Sequence, residues 1–142
     1  MIRAIKEAEK ALINGKDIPV GCIIVCDKQI ISSAHNLREA NNDITAHAEI
    51  LAIQEAQKKL GTSRLTNCEM YVTLEPCPMC AWAIIQSGIK ILYYGSYNTQ
   101  YGAMSSVLDL PKFANSKIKV FGGIEEENCN KILEEFWSRI RK

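Results

Sequence analysis

The spacing of apolar side chains changes period several times along the chain, and each change marks an element. Over residues 2–13, Ile2, Ile5, Ala8, Leu12 and Ile13 recur at helical spacing and Asn14-Gly15 supplies a stop, which predicts a first amphipathic helix. A dense apolar run over residues 20–26, a turn at Asp27-Lys28 and a second short run at Ile30-Ile31 predict two paired strands. Residues 32–43 read as a polar loop. Thr45 then offers an N-cap to a second helix, whose stripe Ala46, Ile50, Ile53 and Ala56 ends before Gly61, so that His47 and Glu49 fall in its first turn.

Residues 70–73 predict a third strand. Pro76 and Pro78 fit the start of a third helix running through Ile84 and Ile85 to Gly88, which places Cys77 and Cys80 at a helix N-terminus as well. A fourth strand over residues 91–94, a glycine-containing loop over residues 96–106 and a fifth strand over residues 118–121 follow. A last helix begins near Glu125 with the stripe Cys129, Ile132, Leu133, Phe136, Trp137 and Ile140; its acids come early and Arg139, Arg141 and Lys142 late, as the helix dipole favours. Phe136 and Trp137 read as core. Strands alternating with helices predict an α/β sandwich around a central sheet.

Composition narrows the class. A chain of 142 residues suits one domain, residues 1–142, with a core of ordinary size and no room for two; no repeat, low-complexity tract or linker interrupts it. An apolar share of 47% and a charged share of 23% exclude disordered and fibrous classes. Charges interleave with apolar residues from the N-terminus onward, so neither a secretory signal nor a bilayer span is expected, and the cytoplasm is the expected location. The formal net charge of +1 makes no global case for nucleic acid, so any such partner has to be recognised locally. Six cysteines in a chain with an adequate core point to reduced thiols and metal ligation rather than a disulfide framework.

Two short segments carry candidate chemistry: Thr45-Ala-His-Ala-Glu49 and Leu74-Glu-Pro-Cys-Pro-Met-Cys80. A Cys-x-x-Cys pair turns two thiolates of one helical turn towards a common metal, and His47 can supply a third ligand. Three ligands leave one tetrahedral position of a zinc ion open, and water there has its pKa brought to about 7. Glu49, two residues from His47, suits a proton shuttle better than a ligand. Helix N-termini beneath the ligands stabilise the thiolates. Taken singly, Cys-x-x-Cys also reads as a redox pair and His-x-Glu as chance; together, at two helix starts, they form the signature of zinc deaminases that act on nucleobases. A closed structural zinc with Cys22, Cys26 or Cys68 as fourth ligand is the lesser alternative. Otherwise these cysteines and Cys129 read as small apolar core residues.

With these residues placed, the sequence resembles the cytidine deaminase-like superfamily and, within it, the bacterial tRNA-specific adenosine deaminases. The likeness runs through Ile18-Pro-Val-Gly21, Ala34-His-Asn36, residues 45–49, Tyr71-Val-Thr-Leu-Glu-Pro-Cys77 and Gly102-Ala-Met-Ser-Ser-Val-Leu-Asp-Leu110. It implies a three-layer α-β-α sandwich with a five-stranded mixed sheet, one Zn2+ per subunit and a homodimer. The implied reaction is hydrolysis of the wobble adenosine in an arginine tRNA anticodon stem-loop to inosine. Asn36 matches the family asparagine that hydrogen-bonds the target base; on its own it reads as an Asx turn in a polar loop.

Three positions depart from the family pattern. Asn98-Thr-Gln100 replaces an acidic residue and a basic step in a loop implicated in RNA contact, Trp82 a usual glycine and Ile44 a common proline. Tyr97, Tyr101 and Phe113 offer stacking faces, with Lys112, Lys117 and Lys119 for phosphates, against the plainer reading of packed aromatics and solvated lysines. Two rival functions stay open: a deaminase of free guanine or cytosine, or of a nucleoside, and a non-catalytic zinc-stabilised RNA-binding subunit. The intact Glu49 speaks against the second.

Overall fold

The computed structural model describes residues 1–141. Its middle layer is a five-stranded sheet in the order β2-β1-β3-β4-β5, formed by β1 (Gly21–Cys26), β2 (Gln29–His35), β3 (Cys68–Leu74), β4 (Ile91–Ser96) and β5 (Lys119–Phe121). β1 runs antiparallel to β2 and β3, while β3, β4 and β5 are parallel, so the sheet is mixed as expected. On one face lie α1 (Ile2–Asn14) and α5 (Glu126–Ile140); on the other lie α2 (Ala48–Leu60), α3 (Pro78–Ser87) and the short α4 (Leu110–Phe113). This is the three-layer sandwich. Among the described residues no helix is long and apolar enough to cross a membrane.

The larger core lies between the sheet and α2 and α3, where Ile24, Met70, Val72, Ile84 and Leu92 are wholly buried. β1 is central and covered on both faces, which explains its unbroken apolar run. On the other side α1 lies almost in contact with the β1 backbone at Gly21: a Cβ there would strike the Ala4 carbonyl and come within 2.5 Å of the Ala8 nitrogen. The face that α1 turns inward is therefore Ala4, Ala8, Ala11 and Leu12, and two members of the predicted stripe, Ile2 and Ile13, are exposed. Close approach selects small side chains over large ones, which hydrophobic spacing alone does not reveal. A second, smaller cluster joins Ala8 and Leu12 to Ile132 and Phe136 of α5.

Several predicted boundaries move. β2 continues through Ser32 to His35, pairing Ser32 with Ile24 and Ala34 with Cys22, so the polar loop starts at Asn36. The β1 ladder satisfies the backbone of these serines, and polarity alone had marked them as loop. The cap of α2 is His47, in an extended conformation, and not Thr45; the Thr45 backbone and hydroxyl instead donate to Asp43 Oδ1 at 2.9 and 2.6 Å. Glu49 is thus in the first helical turn and His47 just before it. The four-residue α4, started by Asp109 accepting from the Lys112 amide at 3.1 Å, is too short to leave a periodic trace. In α5, Phe136 is buried but Trp137 is 42% exposed, which removes it from the core. Lys142 lies outside the described residues.

The α1–β1 contact yields a stability test. Gly21→Ala should lower the unfolding free energy by about 1–3 kcal/mol, the usual cost of forcing extra atoms into a packed interior. Urea unfolding of the purified variant reads this directly, and an unchanged midpoint would contradict the close approach.

Candidate metal centre

Two helix N-termini meet beside the carboxyl end of β3. The chain leaves β3 at Leu74 and enters α3 with Cys77 as the extended cap residue, Pro78 at the first helical position and Cys80 one turn further in. α2 packs against α3 and starts with His47 at the equivalent cap position. The sequence thereby brings together three side chains from segments about thirty residues apart. His47 Nδ1 lies 3.7 Å from Cys77 Sγ and 3.4 Å from Cys80 Sγ, and all three ligand atoms fall within 4.8 Å of one another.

These distances fit zinc. Bonds of about 2.0 Å to nitrogen and 2.3 Å to sulfur in a tetrahedron hold N and S about 3.5 Å apart, between the two observed separations. Among the described residues the cluster has three members, and Cys22, Cys26 and Cys68 stand outside it, which leaves no fourth protein ligand for a closed structural site. Cys22, Cys68 and Cys129 are buried as small apolar residues, as expected of them.

The thiols divide one proton between them. The hydrogen bond from Cys80 pulls the Cys77 thiol down to about 4, with His47 adding to the effect, whereas the bond to Cys77 together with burial raises Cys80. Cys77 is the thiolate and Cys80 the thiol until a cation takes the place of the proton. The contact with Cys77 also raises His47. Glu49 is 4% exposed, and burial pushes its carboxyl up to about 7, with the nearby Cys77 raising it further and His47 opposing. A carboxyl with that value holds both protonation states in useful amounts near neutrality.

A cavity of about 570 Å³ opens onto the cluster, inside the range of small-molecule sites. Asn36, His47 and Glu49 line it, with Asn98, Tyr101 and Trp137. Asn36 is 8% exposed; its Nδ2 donates to the Ile18 carbonyl at 3.2 Å and its Oδ1 accepts from the Arg38 amide at 3.2 Å. The Asx turn and the position on the cavity wall are properties of the same residue. Tyr97 packs edge-on against Tyr94, and Phe113, Lys112, Lys117 and Lys119 are exposed away from the lining, so of the candidate RNA-facing residues Tyr101 is the one that reaches the cavity.

Sequence reasoning missed three residues here. Trp137 contributes to the cavity wall from α5, because a helical stripe does not distinguish a face turned to the core from one turned to a cavity. Asp17 is buried and accepts from the Glu39 and Ala40 amides at 2.6 and 3.2 Å, pinning the segment after Asn36. Glu75, buried beside the Cys77 segment, binds the loop that follows β4. The signal for both acids was a carboxylate close before a proline, in Asp17-Ile18-Pro19 and Leu74-Glu75-Pro76.

A three-ligand cluster that shares its cavity with a buried carboxyl, on an α-β-α sandwich, defines a zinc-binding hydrolase of the deaminase class. The family described as the cytidine and deoxycytidylate deaminase zinc-binding region matches residues 1–96. The tRNA-specific adenosine deaminase of Bacillus subtilis (strain 168) is 42% identical over 144 residues, spanning 100% of this chain and 89% of that protein. A solved structure from studies of A-to-I editing by tRNA:A34 deaminases superposes with a TM-score of 0.90 at 37% identity, over 94% of this chain and 97% of the other. The guanine deaminase of Bacillus subtilis superposes with a TM-score of 0.67 at 36% identity, over 80% of this chain and 71% of the other. The chain belongs to the cytidine and deoxycytidylate deaminase family and, within it, to the tRNA-specific adenosine deaminases.

Two outcomes follow from the electrostatics. Zinc uptake at pH 7 should release between about one and two protons, from Cys80 and from the imidazolium fraction of His47, and affinity should fall as the pH is lowered, because protons and metal compete for the same ligand atoms. Calorimetry in buffers of different ionisation enthalpy measures the release, and no release would contradict the shared proton. For Glu49 the folded value lies above the ordinary carboxyl value of 4.5. Its ionisation therefore opposes folding, by an amount that is absent below about pH 4.5, grows as the pH rises and is complete above about 7. Glu49→Gln should then stabilise the metal-free protein by about 1–3 kcal/mol at pH 8 and by almost nothing at pH 4. Urea unfolding at the two pH values checks this, and a gain of equal size at both would refute it.

Proposed function

We propose that this chain, as a single deaminase domain over residues 1–142, hydrolyses the wobble adenosine of an arginine tRNA anticodon to inosine. His47, Cys77 and Cys80 hold one Zn2+, Glu49 moves protons and Asn36 binds the target base. The observation that carries the chemistry is the buried Glu49 carboxyl, pushed up to about 7 in a cavity that it shares with the cluster. The full-length similarity to tRNA-specific adenosine deaminases carries the substrate.

Bound at the cluster, zinc supplies Lewis acidity that makes water nucleophilic near neutral pH. The protein does the rest. The reaction adds water at C6 of the adenine, forms a C–O bond and breaks the C–N bond, releasing ammonia. Glu49 accepts a proton as the water adds and returns one to the departing amine, the acid and base work that a carboxyl buried in the same cavity as the cluster is placed to do. The two backbone contacts of Asn36 fix its amide and leave one N–H and one acceptor lone pair for the edge of a base.

Recognition of RNA has local support despite the near-zero net charge. Lys16 and Arg38 line the cavity and suit phosphates on either side of an extruded nucleotide, while the exposed ring of Tyr101 suits stacking of a neighbouring base. The exposed apolar side chains of Trp82, Val107, Leu108 and Phe113 belong to α3, α4 and the segment leading into α4, a concentration that suits a homodimer contact. A tRNA substrate supports a cytoplasmic location. The second reading, hydrolysis of free guanine or cytosine, draws on the likeness to guanine deaminase.

Zinc-loaded protein incubated with an arginine anticodon stem-loop, and separately with adenosine, cytosine and guanine, should form inosine in the stem-loop alone; ammonia from a free base alone would move the chain to the second reading. Glu49→Gln should keep its zinc and lose turnover by about 10²–10⁴-fold. Retained turnover would remove Glu49 from its role, and an inactive wild type that still bound the stem-loop would favour the non-catalytic subunit.

A further inference from the structure

Glu75 is 1% exposed and no cation pairs with it among the described residues. Its carboxylate is instead surrounded by donors from one loop. Oε1 accepts from the Asn98 amide at 3.2 Å and from the Ser106 hydroxyl; Oε2 accepts from the Met104 and Ser106 amides, each at 3.1 Å. The same loop is bound to the neighbouring backbone, with the Glu75 amide donating to the Ser96 carbonyl and the Ala103 amide to the Pro76 carbonyl, both at 2.9 Å. At Gly102 the loop lies so close that a Cβ would come within 2.6 Å of Glu75 Cδ.

Four donors converging on one buried point need a group that accepts without donating, and among neutral side chains of this length none does. Glutamine would turn an NH2 towards backbone N–H groups. A buried charge without a counter-ion is costly, so its retention here requires that all its donors be in place. The loop held in this way carries Asn98 and Tyr101 to the cavity, and Asn98 Oδ1 in turn accepts from the Gln100 and Tyr101 amides. Glu75 is separated from Cys77 by Pro76 alone. The rigid β3–α3 junction that places a metal ligand therefore also places the loop facing the substrate.

We propose that Glu75 is a positioning residue of the deamination site: its carboxylate sets the loop of residues 97–109 at a fixed distance from the metal cluster, so that Asn98 and Tyr101 receive the substrate. The positioning role rests on the deaminase reading above. Its effect belongs to substrate binding more than to the chemical step, since neither Asn98 nor Tyr101 has been assigned a proton to move.

The test uses the zinc-loaded full chain with Glu75→Gln, Glu75→Asp and Ser106→Ala. In Glu75→Gln the amides of Asn98, Met104 and Ser106 should exchange with solvent at least about tenfold faster, with α2 and α3 amides and zinc content unchanged. KM for the anticodon stem-loop should rise by between about tenfold and a hundredfold, with a smaller fall in kcat. Glu75→Asp, which keeps the acceptors on a shorter stem, should recover part of the loss. Tyr101→Ala should weaken the wild type but add little in the Glu75→Gln background, because both changes remove one contact. Ser106→Ala removes one of the four donors, the hydroxyl, without disturbing the charge and shows a smaller effect of the same kind, which keeps the proposal decidable if the Glu75 variants fail to fold. Wild-type exchange at the three amides, additive losses with Tyr101→Ala, or a loss of zinc with KM unchanged would each overturn it. A wild type inactive on the stem-loop and on every free base would overturn the deaminase reading itself, a result distinct from an active wild type whose loop is indifferent to Glu75.

Discussion

Everything at the site depends on the packing of α2 and α3 against the sheet and against each other, because that contact brings two helix N-termini to one point. Small side chains make it possible: Ala48, Ala52 and Ala56 on α2 and Ala81 on α3 are wholly or almost wholly buried. With their axes held close, the cap residues His47 and Cys77 and the first-turn Cys80 come within metal-ligand distance of one another. Each N-terminus also brings partial positive charge, which favours thiolate at Cys77 and negative charge arising in the cavity. The cluster is a consequence of helix placement, and metal binding would draw on an arrangement the chain has already made.

Three buried carboxylates show how one functional group is put to different uses by its surroundings. Asp17 and Glu75 are each ringed by backbone amides, and they act as fixed points for the segments on either side of the cavity. Glu49 is governed by burial, which opposes its charge and leaves its proton exchangeable near neutral pH. Hydrogen bonding makes the first two structural. Desolvation leaves the third poised for the proton transfer proposed for it, at a cost to the stability of the metal-free fold.

The division of the wall between elements also bears on specificity. The floor, with His47, Glu49 and Cys77, belongs to two rigid helices, while the sides come from the loop after β4, the segment after β2 and the end of α5. A fold of this kind conserves the chemistry at the floor while the sides change the substrate. The fold of this chain is common to a tRNA deaminase and a guanine deaminase, and its own loop after β4 carries the uncharged Asn98-Thr-Gln100.

The sequence by itself determined the order of the elements apart from the short α4, the pairing of His-x-Glu with Cys-x-x-Cys, and the start of both helices to within two residues. These are local properties: capping chemistry, proline at the first helical position and apolar period act between near neighbours and leave a readable trace. Asn36 by itself read as an Asx turn and only the family resemblance made it a base-binding candidate; the structure puts that turn on the cavity wall. Only the tertiary structure decided that Trp137 faces a cavity, that α1 presents alanines and not Ile2 and Ile13, that Ser32 lies in a strand, and that Glu75 reaches a loop more than twenty residues away. In each case the deciding partner is remote in sequence. Burial, close approach and hydrogen bonding across the fold depend on where the other element comes to lie, and no local pattern encodes that distance.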